Sequence, residues 1–317
     1  MKFKTSKFSN IPNKNLVNRL DSLLGTVNSV FHKNNLNNIK YYIAGGSVLN
    51  AVKNINTESI IDIDIFFYDS DSFLIVNDVL KKAIEEGKKE NENVSPILHH
   101  HYDYIETSNA STFIGLDASF NIQIIKKEFG EVEEMLSGFD LIQSMCAVTS
   151  NRRFIANYDI TKPLIVNDKK INGSTYQRYN KYVNVKGCEH NENEINKIFD
   201  YLIENAFEEM MHGDSGSTTM SQAYKLLKYS SESECQYIHN KIFEKHNKEN
   251  RLLIYKSLVK KNALFNIAKM CNEFIVAAHL FIEESSNEGI QNYLIPFYNH
   301  YQKHKSSAVE EYPEYFI

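Results

Sequence analysis

The segment Ile61–Phe67 constrains the fold more than any other part of the sequence, because two aspartates interrupt its β-branched and aromatic side chains. A run of this kind predicts a strand. Residues two positions apart on a strand point to the same face, so Asp62 and Asp64 are expected to project together while the isoleucines turn into the core. Two carboxylates on one face repel each other unless a cation lies between them, so the segment predicts a divalent metal site.

A glycine turn precedes this strand by about fifteen residues. The run Tyr41–Ala44 predicts a short strand that ends at Gly45 and Gly46. Ser47 is expected to cap a short helix that begins at Val48. Glycine lets the backbone approach a triphosphate closely, and the first turn of a helix offers unpaired N–H groups to phosphate oxygens. Gly45, Gly46 and Ser47 are therefore candidate phosphate-binding residues.

The chemistry expected of this arrangement is metal-assisted phosphoryl transfer. Oxygen ligands suit Mg²⁺, which keeps its remaining positions for water and substrate phosphates, and Mn²⁺ accepts the same ligands. Two such ions activate an attacking hydroxyl and neutralise a leaving pyrophosphate. The alternative is that Asp62 and Asp64 line the exposed face of an edge strand and that Gly45-Gly46 is only a turn.

The combination of turn and strand resembles the DNA polymerase β-like nucleotidyltransferase superfamily. Within it, the chain looks most like the head and neck of class II CCA-adding enzymes and poly(A) polymerases, or a viral or phage relative of them. Gly45 and Gly46 match the Gly-Gly turn of that branch. Asp62 and Asp64 match its D-x-D motif, which implies that they are the metal ligands. Leu49-Asn50 stands near the place of an Arg-Asp pair, a departure that bears on CCA specificity.

Two later motifs of the same branch have looser counterparts, and the resemblance covers roughly residues 40–190. In Phe139–Gln143, Asp140 is the matched residue, which implies a part in binding sugar or phosphate. The segment Arg178–Tyr182 is similar to an R-x-x-R-Phe helix that reads the incoming base. The resemblance therefore implies that Arg178 and Lys181 contact the nucleotide.

Many members of the superfamily carry a third carboxylate on a neighbouring strand. The corresponding strand of this chain, Phe120–Ile125, offers only amides. Three arrangements are open at this point: Gln123 replaces the acid, Asp117 or Asp140 supplies it, or two aspartates suffice as in the class II branch.

Periodicity and resemblance together predict an α+β fold. It has a small mixed β-sheet nucleotidyltransferase head with flanking helices, followed by an irregular all-helical C-terminal domain. We expect the catalytic domain with its N-terminal helix at residues 1–158 and the helical neck and body at residues 159–317. The predicted elements of the head include helices at 13–33, 71–86, 131–136 and 139–148, and strands at 102–106, 112–116 and 119–125.

Charge and composition narrow the class of protein. The formal net charge is −5, which argues against a chain coated with nucleic-acid-binding charge. Basic residues nevertheless cluster in residues 1–40 and 241–270, either to grip a polyanion locally or as solvated helix faces. There is no apolar run of about 18 residues and no secretory signal, so we expect a cytoplasmic protein, inside a host cell if it is viral.

Other side chains give weaker signals. The four cysteines form no C-x-x-C pair, so buried free thiols are expected rather than a zinc or redox site. His99 and His101 share one strand face, and Gly213–Ser217 is similar to the loop around a serine-protease nucleophile. We interpret the histidines as residues of a partly exposed strand or as substrate contacts near the active site, and the glycine–serine segment as a helix–helix loop.

The favoured hypothesis is transfer of a nucleoside monophosphate from an NTP to a hydroxyl, with Mg²⁺ or Mn²⁺ as cofactor and release of pyrophosphate. An RNA 3′ end, tRNA among them, is the first choice of acceptor. The expected partners are thus a nucleotide and RNA, with no membrane. The alternatives are a catalytically inactive nucleotide-binding or interaction module, and a toxin-like nucleotidyltransferase that modifies a protein or tRNA.

Overall fold

The computed structural model of the protein describes residues 2–55, 61–92, 102–117, 120–157, 160, 162–212, 231–260, 272–284 and 295–316. These residues form two compact units, one of residues 1–170 and 183–189, the other of residues 171–182 and 190–317. The first unit contains a sheet with flanking helices and the second is helical, so the predicted α+β class is confirmed. The domain boundary expected after residue 158 stays a prediction. His99, His101 and Gly213–Ser217 lie outside the described residues.

The first unit is built on an eight-stranded mixed sheet with the order β1-β8-β7-β2-β3-β6-β5-β4. Every neighbouring pair is antiparallel except β3 and β6, which run parallel. The strands are β1 (Phe3–Lys7), β2 (Tyr41–Ala44), β3 (Ile61–Phe67), β4 (Asp103–Glu106), β5 (Ala110–Ile114), β6 (Phe120–Phe129), β7 (Cys146–Thr149) and β8 (Arg153–Asn157).

The central strands β2 and β3 position the candidate site. Strand β2 is buried along its whole length because β7 pairs with it on one side and β3 on the other. Its Tyr42 lies opposite Phe66 of β3, and the two rings stack with centroids 5.6 Å apart. Such aromatic cross-strand pairs stabilise a sheet and fix its register. The register in turn brings the carboxyl end of β2 beside the first residues of β3.

Helices cover this sheet: α1 (Lys14–Lys33), α2 (Gly46–Lys53), α3 (Ser70–Glu92) and α4 (Val132–Ser137). The predicted helices at 13–33, 71–86 and 131–136 are thus found with small changes of boundary. Asn13 caps α1 by accepting a hydrogen bond of 3.0 Å from the Leu16 amide. Arg19 of α1 donates to the carbonyl of Ala51, so the guanidinium ties α1 to the last turn of α2.

The helix predicted at 139–148 is wrong. A single 3₁₀ turn, Ile142–Ser144, is followed by strand β7, which is buried throughout. A short apolar run does not distinguish a buried strand from a helix by periodicity alone, and pairing with β2 and β8 decides in favour of the strand. The sequence interpretation also missed β1 and β8, which form one edge of the sheet.

The second unit contains α5 (Thr175–Asn184) except its last two residues, together with α6 (Glu192–His212), α7 (Glu232–Lys245), α8 (Lys248–Lys260), α9 (Asn272–Glu284) and α10 (Ile295–Glu311). Ser231 and Glu234 form a reciprocal capping box at the start of α7. Among the described residues, no helix of either unit is long and apolar enough to cross a membrane.

The basic cluster in residues 241–270 has partners in its described part. Lys245 pairs with Glu204, Lys248 with Glu314 and Arg251 with Glu273. The ammonium of Lys241 lies 5.3 Å from the ring centre of Tyr237. These contacts hold the cations to their own unit, which favours solvated and paired helix faces over a polyanion-binding patch in this part of the chain.

Two of the four cysteines, Cys146 and Cys188, are described with their side chains, and both are free and buried as expected. Burial raises the pKa of the Cys146 thiol, so this side chain stays protonated and unreactive. The side chain of Cys235 and the whole of Cys271 lie outside the described residues.

Candidate functional site

The turn after β2 is formed by Gly45, whose φ of 78° and ψ of −136° belong to a region that side chains disfavour. Its amide donates to the carbonyl of Cys146 at 3.1 Å, and its own carbonyl accepts from the Leu49 amide at 3.0 Å. The first bond ends the β2–β7 ladder and the second begins α2. Glycine is therefore required at this corner by the backbone itself, before any ligand is considered.

Ser47 is not the N-cap that the sequence predicted. Helix α2 begins one residue earlier, at Gly46, and Gly45 takes the capping position. Ser47 consequently lies in the first turn of the helix, where its side chain is 5% exposed. Among the described residues, its Oγ has no hydrogen-bond partner. A buried hydroxyl without a partner, in the first turn of a helix whose N–H groups favour anions, is suited to donate a hydrogen bond to a phosphate oxygen.

The two aspartates of β3 alternate with buried residues as the strand period requires. Ile63 and Ile65 are fully buried, Asp62 is exposed and Asp64 is partly exposed. A Cβ added to Gly45 would lie 3.8 Å from Oδ2 of Asp64. The Asp64 carboxylate therefore lies directly over the glycine corner, and the parity of the strand puts Asp62 on the same face.

A phenyl ring closes the same corner from another side. The Phe139 ring approaches the Cβ position of Gly45 to 3.7 Å and lies 6.2 Å, centre to centre, from the Phe66 ring. The Asn167 side chain holds this segment, since its amide donates to the Phe139 carbonyl at 2.9 Å. The sequence interpretation named the neighbouring Asp140 and missed Phe139. The signal available in the sequence was that Phe139 is an aromatic residue directly before the matched Asp140.

Asp140 lies in the segment that the Asn167 side chain holds, and not at the start of a helix. Its side chain is 5% exposed, and its carbonyl accepts from the Asn167 amide at 2.7 Å. The predicted part of Asp140 in binding sugar or phosphate stays a prediction. Asp117 lies in the bend that follows β5.

Strand β6 presents amides where a third acid was sought. In the parallel register of β3 and β6, Asn121 is the partner of Asp62 and Gln123 is the partner of Asp64. Nδ2 of Asn121 donates to Oδ1 of Asp62 at 3.0 Å. The Gln123 amide instead donates to Oγ1 of Thr112 at 2.8 Å. Within the described residues, no group of three or more His, Cys, Asp or Glu side chains is placed to hold a metal.

Arg178 and Lys181 lie on α5, in the second unit. The Arg178 guanidinium donates to Oδ1 of Asn172 at 3.1 Å, while Lys181 is exposed. The tyrosines between and after them, Tyr179 and Tyr182, are buried in the helical unit. Those rings are therefore part of a hydrophobic core and not an open stacking platform. Nucleotide contact by Arg178 and Lys181 stays a prediction.

The donor set of the corner fits a divalent cation and a phosphate chain. The carboxylates of Asp62 and Asp64 lie on one face of the strand. The Asp64 carboxylate is next to Gly45, which has no side chain, and helix α2 begins directly after that glycine. Carboxylate oxygens are ligands that Mg²⁺ and Mn²⁺ prefer, and the N–H groups of a helix start favour anions.

Comparison with protein families finds a matching family model. A model described as "Gabija anti-defense 2 family protein" matches residues 19–164. The matched range contains the glycine corner, the D-x-D strand and the amide-bearing strand β6. The chain is similar to that family over this part of its length. A comparison with curated proteins finds no match.

Comparison with solved structures gives matches of low identity. The Thermotoga maritima CCA-adding enzyme complexed with tRNA is 12% identical, with 97% of this chain and 74% of that chain covered and a TM-score of 0.47. A CCA-adding enzyme in complex with CTP is 14% identical, with 94% and 70% covered and a TM-score of 0.49. A tRNA-processing enzyme with CTP is 10% identical, with 92% and 80% covered and a TM-score of 0.45.

Proposed function

We propose that this protein is a metal-dependent nucleotidyltransferase, which transfers a nucleoside monophosphate from an NTP to a hydroxyl and releases pyrophosphate. One observation carries the proposal: the Asp64 carboxylate lies 3.8 Å from the space that a side chain on Gly45 would fill. Metal ligands and a corner suited to phosphate thus adjoin each other. That proximity is what transfer from a triphosphate requires, because the cation must contact both protein and phosphates.

Each residue of the corner has a proposed part. Asp62 and Asp64 hold Mg²⁺ or Mn²⁺, and a bound cation supplies neutralisation of phosphate charge and a lowered pKa for the attacking hydroxyl. Gly45 and Gly46 give the triphosphate close access to the backbone, whose N–H groups at the start of α2 bond its oxygens. The buried Ser47 hydroxyl adds a bond to the same phosphates.

The remaining predicted contacts belong to the same proposal. Asp140 helps to position the sugar or phosphate, and Arg178 and Lys181 contact the nucleotide, as the motif resemblance implies. The resemblance also favours an RNA 3′ end, tRNA among them, as the acceptor. With Leu49-Asn50 in place of Arg-Asp, we do not propose CCA specificity.

The activity is tested with α-labelled NTPs, total RNA or cell extract, and Mg²⁺ or Mn²⁺. Wild-type protein is expected to transfer label to one class of acceptor, and the Asp62→Ala and Asp64→Ala variants are expected to fall to background. Equal labelling by all three proteins would remove the proposed role of the aspartates. Folding of the variants is checked by circular dichroism, so that loss of label is not confused with loss of structure.

The family match supports a setting for this activity, counteraction of the Gabija defence. A catalytically inactive binding module is the second candidate, favoured by the amides on β6 and by the finding that, among the described residues, no three His, Cys, Asp or Glu side chains are grouped to hold a metal. Co-expression with a Gabija system, followed by phage plating, separates the two. If transfer is needed, Asp64→Ala abolishes the rescue of phage growth; an inactive module rescues equally well with either protein.

A further inference from the structure

The two aspartates of β3 have chemically similar neighbours on β6 but different contacts with them. Asp62 is in register with Asn121 and Asp64 with Gln123, so both amides lie on the face that carries the carboxylates. Only the Asn121 amide bonds to its aspartate, at 3.0 Å. Gln123 turns its amide to Thr112 on the next strand, β5. One amide therefore belongs to the candidate metal site and the other to the sheet beyond it.

The orientation of the Asn121 side chain follows from the chemistry of its partner. An ionised carboxylate only accepts hydrogen bonds, so the amide must offer it N–H and not its carbonyl oxygen. The bond engages Oδ1 of Asp62 and leaves Oδ2 to other ligands. Hydrogen bonds to an ionised group are stronger than those between neutral groups, so this contact restricts the rotation of the carboxylate.

We propose that Asn121 is a positioning residue of the metal site. Its amide holds one oxygen of the Asp62 carboxylate, so that the other oxygen is presented to the cation. Asn121 is also a neutral residue at a strand position where an acid would give the site a third negative charge. The inference rests on the proposed function in that it concerns the same cation, but it is a statement about metal affinity and not about turnover. It also explains how a site with two carboxylates is kept ordered.

The physical reason for a measurable effect is preorganisation. A carboxylate that must be immobilised at the moment of binding contributes less to affinity than one already held. Hydrogen-bond partners of metal ligands typically change metal affinity about 10- to 100-fold when they are removed. Replacing Asn121 with aspartate has the opposite effect, because it adds a third anionic oxygen next to the cation while increasing repulsion in the metal-free protein.

The experiment measures Mn²⁺ affinity by electron paramagnetic resonance in the full chain, without nucleotide and with a non-hydrolysable NTP. The variants are Asn121→Ala, Asn121→Asp and, as the matched control, Gln123→Ala on the same strand face. We expect Asn121→Ala to weaken Mn²⁺ binding about 10-fold. Gln123→Ala should leave the affinity as it is, and Asn121→Asp should bind Mn²⁺ more tightly than wild type.

Thermal melting in EDTA and in Mn²⁺ separates positioning from a general structural role. A merely structural Asn121 would make both of its variants lose metal affinity in parallel with stability, whereas the proposal expects Asn121→Asp to melt lower in EDTA and to gain more from Mn²⁺. Equal losses of affinity in Asn121→Ala and Gln123→Ala, or no loss in Asn121→Ala, would overturn the inference.

The outcome is distinct from that of the transfer assay. Metal binding that depends on Asn121 in a protein that labels no acceptor would sustain this inference and reject the proposed function. Label transfer that depends on Asp62 and Asp64, together with Mn²⁺ binding unaffected by Asn121→Ala, would sustain the proposed function and reject this inference.

Discussion

Gly45 and Asp64 are neighbours across the β2–β3 pair: a Cβ on the glycine would lie in ordinary contact with the carboxylate, 3.8 Å from Oδ2. The space is tolerant of a methyl group, but the backbone is not, because Gly45 has a φ of 78°. The fold therefore constrains position 45 through its backbone conformation, whereas a ligand would be affected by the space that a side chain there fills.

The Gly45→Ala variant is expected to unfold more easily by about 1–3 kcal/mol, because a residue with a side chain is strained at a φ of 78° and a ψ of −136°. Chemical denaturation measures the free energy of unfolding. Gly25→Ala is the matched control, since Gly25 lies inside α1 with no atom within 4 Å of its added Cβ, and this change should stabilise by about 0.5–1 kcal/mol. Two variants of equal stability would contradict the backbone argument.

The Ser47→Ala variant tests whether the buried hydroxyl serves a ligand. Because its Oγ has no partner among the described residues, removing it should leave the free energy of unfolding unchanged or slightly higher. NTP affinity, measured by isothermal titration calorimetry in the presence of Mn²⁺, should fall several-fold. Ser144→Ala is the comparison: Ser144 is equally buried, but its Oγ donates to the Leu141 carbonyl at 2.6 Å, so its loss should cost about 1 kcal/mol. A destabilised Ser47→Ala protein with normal NTP affinity would assign the hydroxyl to the fold.

The buried ion pair of the second unit is expected to matter more than the exposed ones. Nε of Arg251 donates to Oε2 of Glu273 at 2.7 Å, and their side chains are 13% and 4% exposed. Arg251→Met leaves a buried carboxylate without its cation and should cost about 3–5 kcal/mol. Lys245→Met, which breaks the exposed pair with Glu204, should cost less than about 1 kcal/mol. Similar melting temperatures for the two variants would show that the buried pair is not a structural requirement.

The stability of the second unit should depend on pH through His239. Burial lowers the pKa of His239, with Glu273 raising it and Arg251 lowering it to smaller extents, and burial also lowers the pKa of His246. A folded-state pKa below the ordinary value of about 6.5 means that the unfolded chain binds more protons in the interval between the two. Stability is therefore complete above pH 6.5 and is lost as the pH falls below it.

The measurement is the free energy of unfolding at pH 7.5 and pH 5.5 for wild type and His239→Gln. Wild type should lose more stability between the two values than the variant does, because only wild type must charge the partly buried imidazole of His239. A variant with the same loss would place the pH dependence elsewhere, His246 first. Besides removing the imidazole, the substitution removes a hydrogen bond of 2.9 Å between His239 Nδ1 and the Tyr255 hydroxyl.

The sequence predicted the centre of the sheet better than its edge. Strand β3 was recognisable because aspartates alternate with isoleucines, and that alternation is the strand period itself. Strand β1 was missed because Phe3–Lys7 is mostly polar, and only its pairing with β8 makes it a strand. Strand β7 was mistaken for a helix because a short run of apolar residues carries no period of its own.

At the site, the residue types were predictable and their contacts were not. The aspartates, the two glycines and the amides on β6 could all be named from the sequence. That the Asn121 side chain reaches Asp62, whereas the Gln123 side chain turns to Thr112, depends on the parallel register of two strands that are far apart in the chain. The position of Ser47 inside α2 depends likewise on the positive φ of Gly45.

We propose that Asp62 and Asp64 share a cation with a triphosphate at the Gly45–Gly46 corner. A crystal structure with Mn²⁺ and a non-hydrolysable NTP tests it most directly, because the anomalous signal of manganese locates the ion independently of the refined coordinates. Manganese is expected to be bound by both carboxylates and by phosphate oxygens, with the phosphate chain against the first turn of α2. Manganese bound elsewhere, or a triphosphate that does not contact this corner, would contradict it.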